Sequence, residues 1–409
     1  SKFYHHSGSD FVELYVGVGA KRIRELFSKA RKQKSAIIFI DEIDSIGRKR
    51  GNDTHSERDG TLNSLLVEMD GFNDKDNILV IGSTNRSSIL DNALLRSGRF
   101  DRKIIFDKPN IEERKSLFKL YLNKIRLKND FKQNLDKHLV KLSRLTSNLT
   151  GADIKNICNQ AVGLYLKRDN EFKKILKNYY KKNKSDGTTL DDLLKSIDEI
   201  MIGMEKKERL MSEEEKKIVS YHEAGHALIS YMMKETKPPI KVSIIPRGES
   251  ALGFSMQEPI DKKLYNKKEL ISKICVLLGG RISEEIKFGK ITTGASDDIY
   301  KLTKIAYNIV TTYGMSNLIG HINLNREKNS QYDSIDISES RKKEIDLEVK
   351  KIINECYNFT INILKKNKKY IEMLAELLFK KEELIYSDFD NLFWNYKIED
   401  SVEFKKIGK

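Results

Sequence analysis

The chain has 409 residues, of which 39% are hydrophobic and 33% charged, a composition typical of a globular protein with two or three domains. No apolar run approaches the roughly 18–20 residues that a membrane-spanning helix needs. The net charge of +15 is spread along the chain without arginine–aromatic interleaving, so we predict no nucleic-acid partner. The three cysteines lie far apart and predict free core thiols in a reducing compartment.

Two apolar runs near the start predict buried parallel strands. Residues 36–40 end in Asp41 and Glu42, and residues 78–82 end three positions before Asn85. Ligands bind at the carboxyl ends of such strands, where an aspartate can hold Mg²⁺ and a glutamate can polarise water that attacks a γ-phosphate. Asn85 is expected beside Glu42, where it would orient the same water. Alternatively, Asp41 and Glu42 belong to an acidic turn, and Asn85 is an ordinary turn residue.

A loop at residues 96–102 carries three arginines around a glycine turn. It is either solvated or supplies arginine fingers to the nucleotide of a neighbouring subunit. The segment that follows, up to about residue 204, has apolar residues at three- to four-residue spacing and predicts helices. These predicted helices lie near residues 111–127, 134–147, 151–168 and 187–204.

The sequence His222-Glu223-Ala224-Gly225-His226 follows on an apolar, helix-like stripe for which Ser212 is the expected N-cap. Histidines four positions apart project from one helix face and suit two ligands of a single Zn²⁺, and the glutamate is placed to take a proton from water there. The alternative is a chance match on a surface helix. The motif predicts a peptidase.

A catalytic zinc site needs a third protein ligand, with the fourth position left open. The candidates are His321, the pair Glu284-Glu285, and the pair Asp297-Asp298 at a predicted helix start, where aspartates are usually caps. The residue pattern leaves this choice open. Further on, residues 339–393 predict helix with heptad-like apolar spacing, which fits a bundle core, a subunit-packing surface, or both.

The first third of the chain resembles the AAA+ ATPase module. Residues 37–44 resemble its Walker B strand, residues 83–85 its sensor 1 and residues 96–102 its second region of homology, and residues 150–154 resemble the sensor 2 region of its lid. The resemblance implies that Asp41, Glu42 and Asn85 handle ATP with Mg²⁺ and that Arg99 and Arg102 are fingers. It also implies that Tyr15, Val16 and Gly17 form a pore loop that grips substrate; by itself this triplet also fits a buried strand or turn.

From about residue 7 to about residue 390 the chain resembles the FtsH family of membrane-anchored AAA+ zinc proteases. Residues 221–229, 241–248, 277–289 and 292–315 carry the resemblance in the same order. It implies Asp298 as the third zinc ligand beside His222 and His226, Glu223 as the catalytic base, and a structural role for Glu284. It further implies a homo- or hetero-hexamer that unfolds and degrades membrane and misfolded proteins.

The resemblance implies three domains and a tail: an α/β AAA+ large subdomain at 1–108, a helical lid at 109–204, a mainly α-helical zinc metallopeptidase domain at 205–400, and residues 401–409. The large subdomain is expected as a partial parallel sheet with flanking helices. The phosphate-binding pattern G-x-x-x-x-G-K-[ST] does not occur in the 409 residues, so we expect a truncated chain whose phosphate loop and membrane anchor lie upstream.

Four segments look closest to the mitochondrial, matrix-facing m-AAA branch. This implies an organelle inner membrane, most closely the mitochondrial one with the catalytic domains in the matrix; a bacterial or plastid-type relative is the alternative. The four segments are residues 204–207, 242–248, 281–285 and 289–294.

Two rival functions stay open. One is a zinc peptidase that works without ATP, or a fragment inert as an ATPase; the other is a basic nucleic-acid-binding protein.

Overall fold

The computed structural model forms two compact units, Ser1–Asp107 and Lys108–Lys409. It describes the whole chain except Leu14, Val16, Lys263 and residues 49–55, 72–76, 176–186, 205–210, 248–251, 259–260, 325–337, 386–387 and 390–409, and except the side chains of residues 56–57 and 169–175. None of the described helices is both long and apolar enough to cross a membrane. The predicted tail at 401–409 lies outside the described residues.

The first unit is an α/β arrangement in which helices pack on a parallel sheet. Its core combines buried apolar residues of both helices with those of the central strand, where Ala36, Ile38 and Ile40 alternate with half-buried neighbours. The elements in chain order are β1 (Lys2–Ser7), α1 (Val18–Arg31), β2 (Ala36–Asp41), α2 (Ser56–Asp70) and β3 (Ile78–Gly82).

The described strands of this sheet follow the order β1-β2-β3 and all pairs are parallel. Ser7 lies opposite Asp41 and Ile40 lies opposite Gly82, so the carboxyl ends of the three strands meet at one edge. The sequence predicts β2 and β3 and misses β1, because the polar residues of β1 leave it no continuous apolar run.

The second unit begins with a group of helices whose buried faces form one apolar cluster. The helical pattern predicted for this stretch is confirmed, although the helix predicted to 127 ends at Leu122 and the one predicted from 187 begins at Leu190. The helices are α3 (Ile111–Leu122), α4 (Asn129–Gln133), α5 (Leu135–Leu145), α6 (Gly151–Ile175) and α7 (Leu190–Met201).

A second apolar cluster fills the rest of this unit, between helices that surround a small sheet. The strands are antiparallel in the order β5-β4-β6. Residues 383–385 are therefore strand, which corrects the continuous helix predicted from 339 to 393. The elements are α8 (Glu213–Met232), β4 (Pro239–Ser243), β5 (Phe254–Gln257), α9 (Lys267–Phe288), α10 (Ser296–Thr311), α11 (Glu339–Lys366), α12 (Lys368–Lys381) and β6 (Glu383–Ile385).

Helix α8 is the central element of this cluster. Ser212 caps it as the sequence predicts: its Oγ accepts from the backbone N–H of Glu215, and the Glu215 carboxylate accepts from the Ser212 N–H. From Val219 to Ser230 every residue is buried, including polar ones. A helix buried on all sides must satisfy its polar side chains internally, and this excludes the surface-helix interpretation of the motif.

Two ion pairs connect helices α3 and α7 to the small sheet: one reaches the loop after β5, and the other reaches β4. The buried Arg114 guanidinium donates to Asp261 Oδ2 at 2.6 Å and to two backbone carbonyls. Burial raises the pKa of Asp261, but its hydrogen bonds from Arg114 and Ser147 hold that pKa below its ordinary value. Lys241 on β4 pairs with Asp198 on α7 at 2.6 Å and with a β6 carboxylate.

Candidate metal centre

The two motif histidines lie on one face of α8 with their Nε2 atoms 3.0 Å apart. Asp298, in the first turn of α10, brings Oδ2 to 3.2 Å from His222 Nε2 and 3.1 Å from His226 Nε2. Two ligand bonds of about 2.0–2.1 Å that meet at a tetrahedral angle place their donor atoms about 3.3 Å apart. These three atoms therefore converge as the ligands of one zinc ion would.

The far side of each imidazole is held by an acceptor on α9. His222 Nδ1 donates to Glu284 Oε1 at 2.6 Å, and His226 Nδ1 donates to the backbone carbonyl of Val276 at 2.7 Å. A carbonyl oxygen can only accept, so the His226 proton resides on Nδ1 and the Nε2 lone pair is free for a metal. The same tautomer follows for His222 when the Glu284 carboxylate is ionised.

Glu284 is in turn held in place by the segment that precedes α10. Its Oε2 accepts from the backbone N–H of Thr292 at 3.2 Å and from Thr292 Oγ1 at 2.9 Å. Burial raises the pKa of Glu284, but the hydrogen bonds from His222 and Thr292 bring that pKa below its ordinary value. With both oxygens engaged outside the triangle, Glu284 orients a histidine and does not compete with Asp298.

The remaining candidates for a third ligand lie elsewhere. Asp297 is exposed and pairs with Lys301 at 2.6 Å. Glu285 accepts from the Tyr357 hydroxyl at 2.5 Å, and His321 is exposed. Neither aspartate caps α10, because the residue at its N-cap, Ala295, makes no side-chain cap. Among the described residues, the group of His, Cys, Asp or Glu that could hold a metal is the one formed by His222, His226 and Asp298.

Glu223 lies beside this triangle and is 5% exposed. Its Oε2 has no hydrogen-bond partner among the described residues, and burial raises the pKa of the carboxyl. An orphaned buried oxygen is costly unless a ligand completes the site. Its position beside the metal-binding face suits a group that accepts a proton from water.

The charges of the cluster favour a cation. Burial lowers the pKa of His222, but hydrogen bonds to Asp298 and Glu284 and the charge of Glu223 outweigh burial and raise this pKa to about 10. Burial raises the pKa of Asp298, but its contacts with both histidines bring that pKa far below its ordinary value. Positive charge is thus stabilised where the three ligand atoms meet, which a divalent ion would exploit.

In the first unit, the strand ends gather carboxylates and hydroxyls. Ser83 Oγ donates to Asp41, and Thr84 Oγ1 donates to Asp44 Oδ1 at 2.6 Å. Glu42 has a left-handed backbone with φ of 50°, a strained conformation for a non-glycine residue that is common at functional sites. Asn85 is exposed beyond the end of β3, and the residue that contacts Asp41 is Ser83, which the sequence interpretation did not single out.

The two predicted finger arginines differ. Arg99 forms a bidentate pair with Asp70 at 2.6 and 2.7 Å and also donates to the carbonyl of Ala93, whereas Arg102 is exposed. In the predicted pore loop, Tyr15 is 77% exposed, which excludes a buried strand there. Gly17 has φ of 87° and precedes α1, and Val16 lies outside the described residues.

Several residues that shape the metal centre were missed by the sequence interpretation. Val276 acts through its backbone carbonyl, which leaves no signal in the residue type. Thr292 was included only within the segments that carry the family resemblance. Gly253 faces Glu223, and Gly280 faces the two histidines. The signal that could have found Gly280 is a pair of consecutive glycines inside a helix, where glycine is unfavourable.

Comparison with known proteins agrees with this geometry. The family model for peptidase family M41 matches residues 209–392, and the model for the ATPase family associated with various cellular activities (AAA) matches residues 1–108. The chain is 41% identical over 390 residues to the ATP-dependent zinc metalloprotease FtsH of Rhodothermus marinus, which covers 93% of this chain and 53% of that protein.

Mitochondrial relatives match at a similar level. The chain is 42% identical over 392 residues to the mitochondrial inner membrane m-AAA protease component AFG3L2 of Mus musculus, covering 94% of this chain and 46% of the relative. It is 39% identical over 395 residues to component YTA10 of Saccharomyces cerevisiae, covering 95% and 50%. The chain thus spans about half the length of the curated relatives it matches. The chain combines an AAA region with a peptidase family M41 region, and it is similar over both to ATP-dependent zinc metalloproteases named FtsH.

Proposed function

We propose that the chain is the catalytic part of an ATP-dependent zinc endopeptidase that unfolds and degrades membrane and misfolded proteins. The observation that carries this proposal is the triangle of His222 Nε2, His226 Nε2 and Asp298 Oδ2, with all sides 3.0–3.2 Å, beside the unpartnered Oε2 of Glu223. Donors of this type and spacing fit zinc, which histidine nitrogens and carboxylate oxygens bind in four-coordinate sites.

In the proposed mechanism, His222, His226 and Asp298 would hold the metal. Zinc, when bound, polarises the scissile carbonyl and lowers the pKa of a water molecule toward neutrality. Glu223 accepts the proton of the attacking water through Oε2 and then donates it to the leaving amide nitrogen. Glu284 and the Val276 carbonyl keep both imidazoles in the tautomer that binds metal.

For the ATPase region we propose that Asp41 holds Mg²⁺ and that Glu42 and Asn85 orient the hydrolytic water. The exposed position of Asp41 and the strained backbone of Glu42 at the strand ends support this assignment. Arg99 and Arg102 are proposed to act on the nucleotide of the next subunit, which requires a ring. A homo- or hetero-hexamer is the assembly that the family resemblance favours.

Tyr15, Val16 and Gly17 are proposed to grip unfolded substrate, and the high exposure of the Tyr15 ring is consistent with this role. We further propose domain boundaries at 1–108, 109–204 and 205–400. The separate apolar clusters of the helical region and of the region around α8 support the second boundary.

We propose that the protein acts at the inner membrane of the mitochondrion with its catalytic domains in the matrix. Identities of 41% to a bacterial protein and 42% to a mitochondrial one do not separate the two origins, so this proposal rests on the four m-AAA-like segments. Fractionation with protease protection of the full-length gene product tests it. Digestion of the catalytic domains in intact mitochondria, or their absence from mitochondria, would contradict it.

The experiment that tests the peptidase is zinc-dependent casein cleavage by the purified chain. Cleavage should stop on treatment with a chelator and return when zinc alone is added, and a His226→Ala variant should stay inactive after zinc is restored. A chain that binds no zinc, or that cleaves casein equally after chelation, would contradict the proposed function.

Coupling to ATP is tested separately, because the 409 residues contain no G-x-x-x-x-G-K-[ST] pattern. In the full-length gene product, Glu42→Gln should abolish ATP-driven degradation of folded substrates and leave cleavage of a short peptide intact. Equal degradation of folded substrates with and without ATP would instead support the rival function, an ATP-independent zinc peptidase.

A further inference from the structure

Two consecutive glycines lie in the middle of α9, a 22-residue helix that packs against the metal-binding helix α8. Glycine inside a helix is unfavourable because the unfolded chain loses more conformational freedom there than with alanine. A glycine pair in the middle of a helix therefore indicates that a side chain at these positions would be still less favourable. The structural requirement differs between Gly279 and Gly280, and the requirement at Gly280 concerns the proposed zinc site.

Gly279 lies at the crossing of the two helices. A Cβ on Gly279 would lie 2.7 Å from the backbone oxygen of Gly225 on α8, and a Cβ on Gly225 would lie 2.2 Å from the backbone oxygen of Gly279. Both distances are far shorter than real contacts, which are about 3.5 Å between carbon atoms. Gly279 therefore permits the close approach of the helices, and the three atoms nearest to a Cβ there belong to Gly225 and Ile229 and not to the imidazoles.

Gly280 lies on the face of α9 that holds the imidazoles. Val276, Gly280 and Glu284 are four residues apart and so line one side of the helix. The first contributes the carbonyl that accepts from His226, and the third contributes the carboxylate that accepts from His222. Gly280 lies between these two acceptors, directly opposite the atoms that would bind metal.

A side chain at position 280 would occupy the space where the ligand atoms converge. A Cβ there would lie 2.5 Å from His226 Nε2 and 2.6 Å from both Cε1 and Nε2 of His222. Neither ring can withdraw freely, since each is fixed by a buried hydrogen bond at Nδ1. Even one methyl group would thus separate the two Nε2 atoms or fill the space between them.

We propose that Gly280 is a positioning residue of the metal centre: its lack of a side chain lets both imidazoles converge on one zinc ion. The inference rests on the proposed zinc function and adds a residue that neither binds the metal nor forms a hydrogen bond with the two imidazoles. Helix α9 then contributes three residues to the metal centre: Glu284 and Val276 accept hydrogen bonds that orient the two rings, and Gly280 leaves the space between them free.

The test compares three alanine variants of the full chain. Gly280→Ala should weaken zinc binding at least about tenfold, as is typical when a residue that positions a metal ligand is replaced. It should also alter the visible absorption spectrum of the Co²⁺-substituted protein. Gly279→Ala should lower the thermal midpoint and leave the Co²⁺ spectrum of the folded fraction unchanged. Gly163→Ala is the matched control, because a Cβ on this helical glycine meets nothing within 4 Å. Wild-type zinc affinity and spectrum in Gly280→Ala would overturn the proposal.

A double-mutant cycle in metal-free protein covers the case in which Gly280→Ala folds poorly. Gly280→Ala should lower the thermal midpoint when both histidines are present, and should have little effect in a His222→Ala/His226→Ala background, where the rings it would meet are gone. An equal decrease in both backgrounds would overturn the proposal. If the wild-type chain binds no zinc, the proposed function fails, whereas this cycle still decides whether Gly280 makes room for the two rings.

Discussion

The metal centre and the strand-end cluster of the first unit both gather carboxylates, but they hold them in different ways. In the metal centre, Glu284 is 1% exposed and both of its oxygens accept hydrogen bonds from buried or half-buried groups. At the strand ends, Asp41 is exposed and accepts from the Ser83 hydroxyl at the sheet edge. The first site fixes its carboxylate through buried hydrogen bonds, whereas the second leaves Asp41 and Glu42 exposed to solvent.

This difference follows from the elements that carry the two sites. From Val219 to Ser230 helix α8 is buried on all sides, so each polar side chain there must find a partner within the protein or remain uncompensated. The strand ends instead lie at the edge of a sheet, where water can satisfy a carboxylate. We expect that the loss of one hydrogen bond to a carboxylate lowers the free energy of unfolding more in the metal centre than at the strand ends.

The largest expected effect tests whether Glu223 is the base of the metal centre. Glu223→Gln keeps the size of the side chain and removes its ability to accept a proton, so casein cleavage should fall by about 10²–10⁴-fold while zinc stays bound. Cleavage rate and zinc content would be measured on the same preparation. Glu214→Gln, on the exposed first turn of α8, is the control. Surviving activity with Gln at 223 would show that the base lies elsewhere.

The next prediction separates the ligand from the residue that orients a ligand. Asp298→Asn should weaken zinc binding by more than about 100-fold, because it removes a charged donor from the triangle, while Glu284→Gln should weaken it about tenfold. Competition with a chelator gives both affinities. Asp297→Asn, one position away and exposed, should bind zinc like the wild type. If Glu284→Gln had the larger effect, Asp298 would lose its place as third ligand.

A smaller effect is expected at Gly253, which precedes β5 and lies against the proposed base. A Cβ at this position would lie 2.8 Å from both Cγ and Oε1 of Glu223. Gly253→Ala should displace the carboxylate and lower kcat about tenfold through misplacement, with zinc affinity unchanged. Steady-state cleavage of a quenched peptide with parallel zinc measurements would check this. Lost zinc with normal kcat in the loaded fraction would contradict it.

The sequence predicts the part of the metal centre that is local in the chain. The spacing of His222 and His226 and the cap at Ser212 require only a helix, and both are confirmed. Asp298 lies 72 residues beyond His226, and its identification came from family resemblance because spacing carries no information over that distance. The Val276 carbonyl, 50 residues from His226, has no signature in any side chain. Contacts of this kind depend on how α8, α9 and α10 pack.

The same limit applies to the first unit. The apolar runs of β2 and β3 are confirmed, and they place Asp41 and Glu42 at the predicted edge. The contact of Asp41 with Ser83 depends on the register between the strands, and a single-residue shift in register would change it. The sequence interpretation therefore predicted which edge of the sheet carries Asp41 and Glu42, but it did not single out Ser83 as the partner of Asp41.

The smallest effects compare one lost hydroxyl in each region. Thr292→Val removes a donor to the buried Glu284 carboxylate and should lower the free energy of unfolding by about 2 kcal/mol, because a hydrogen bond to a buried charged group is lost. Ser83→Ala removes a donor to the exposed Asp41 and should cost less than about 0.5 kcal/mol, since water takes its place. Urea denaturation of metal-free protein, followed by a probe in each unit, gives both values. If the two losses were equal, burial would not distinguish how the two regions hold their carboxylates, and the contrast between an organised and an open site would be wrong.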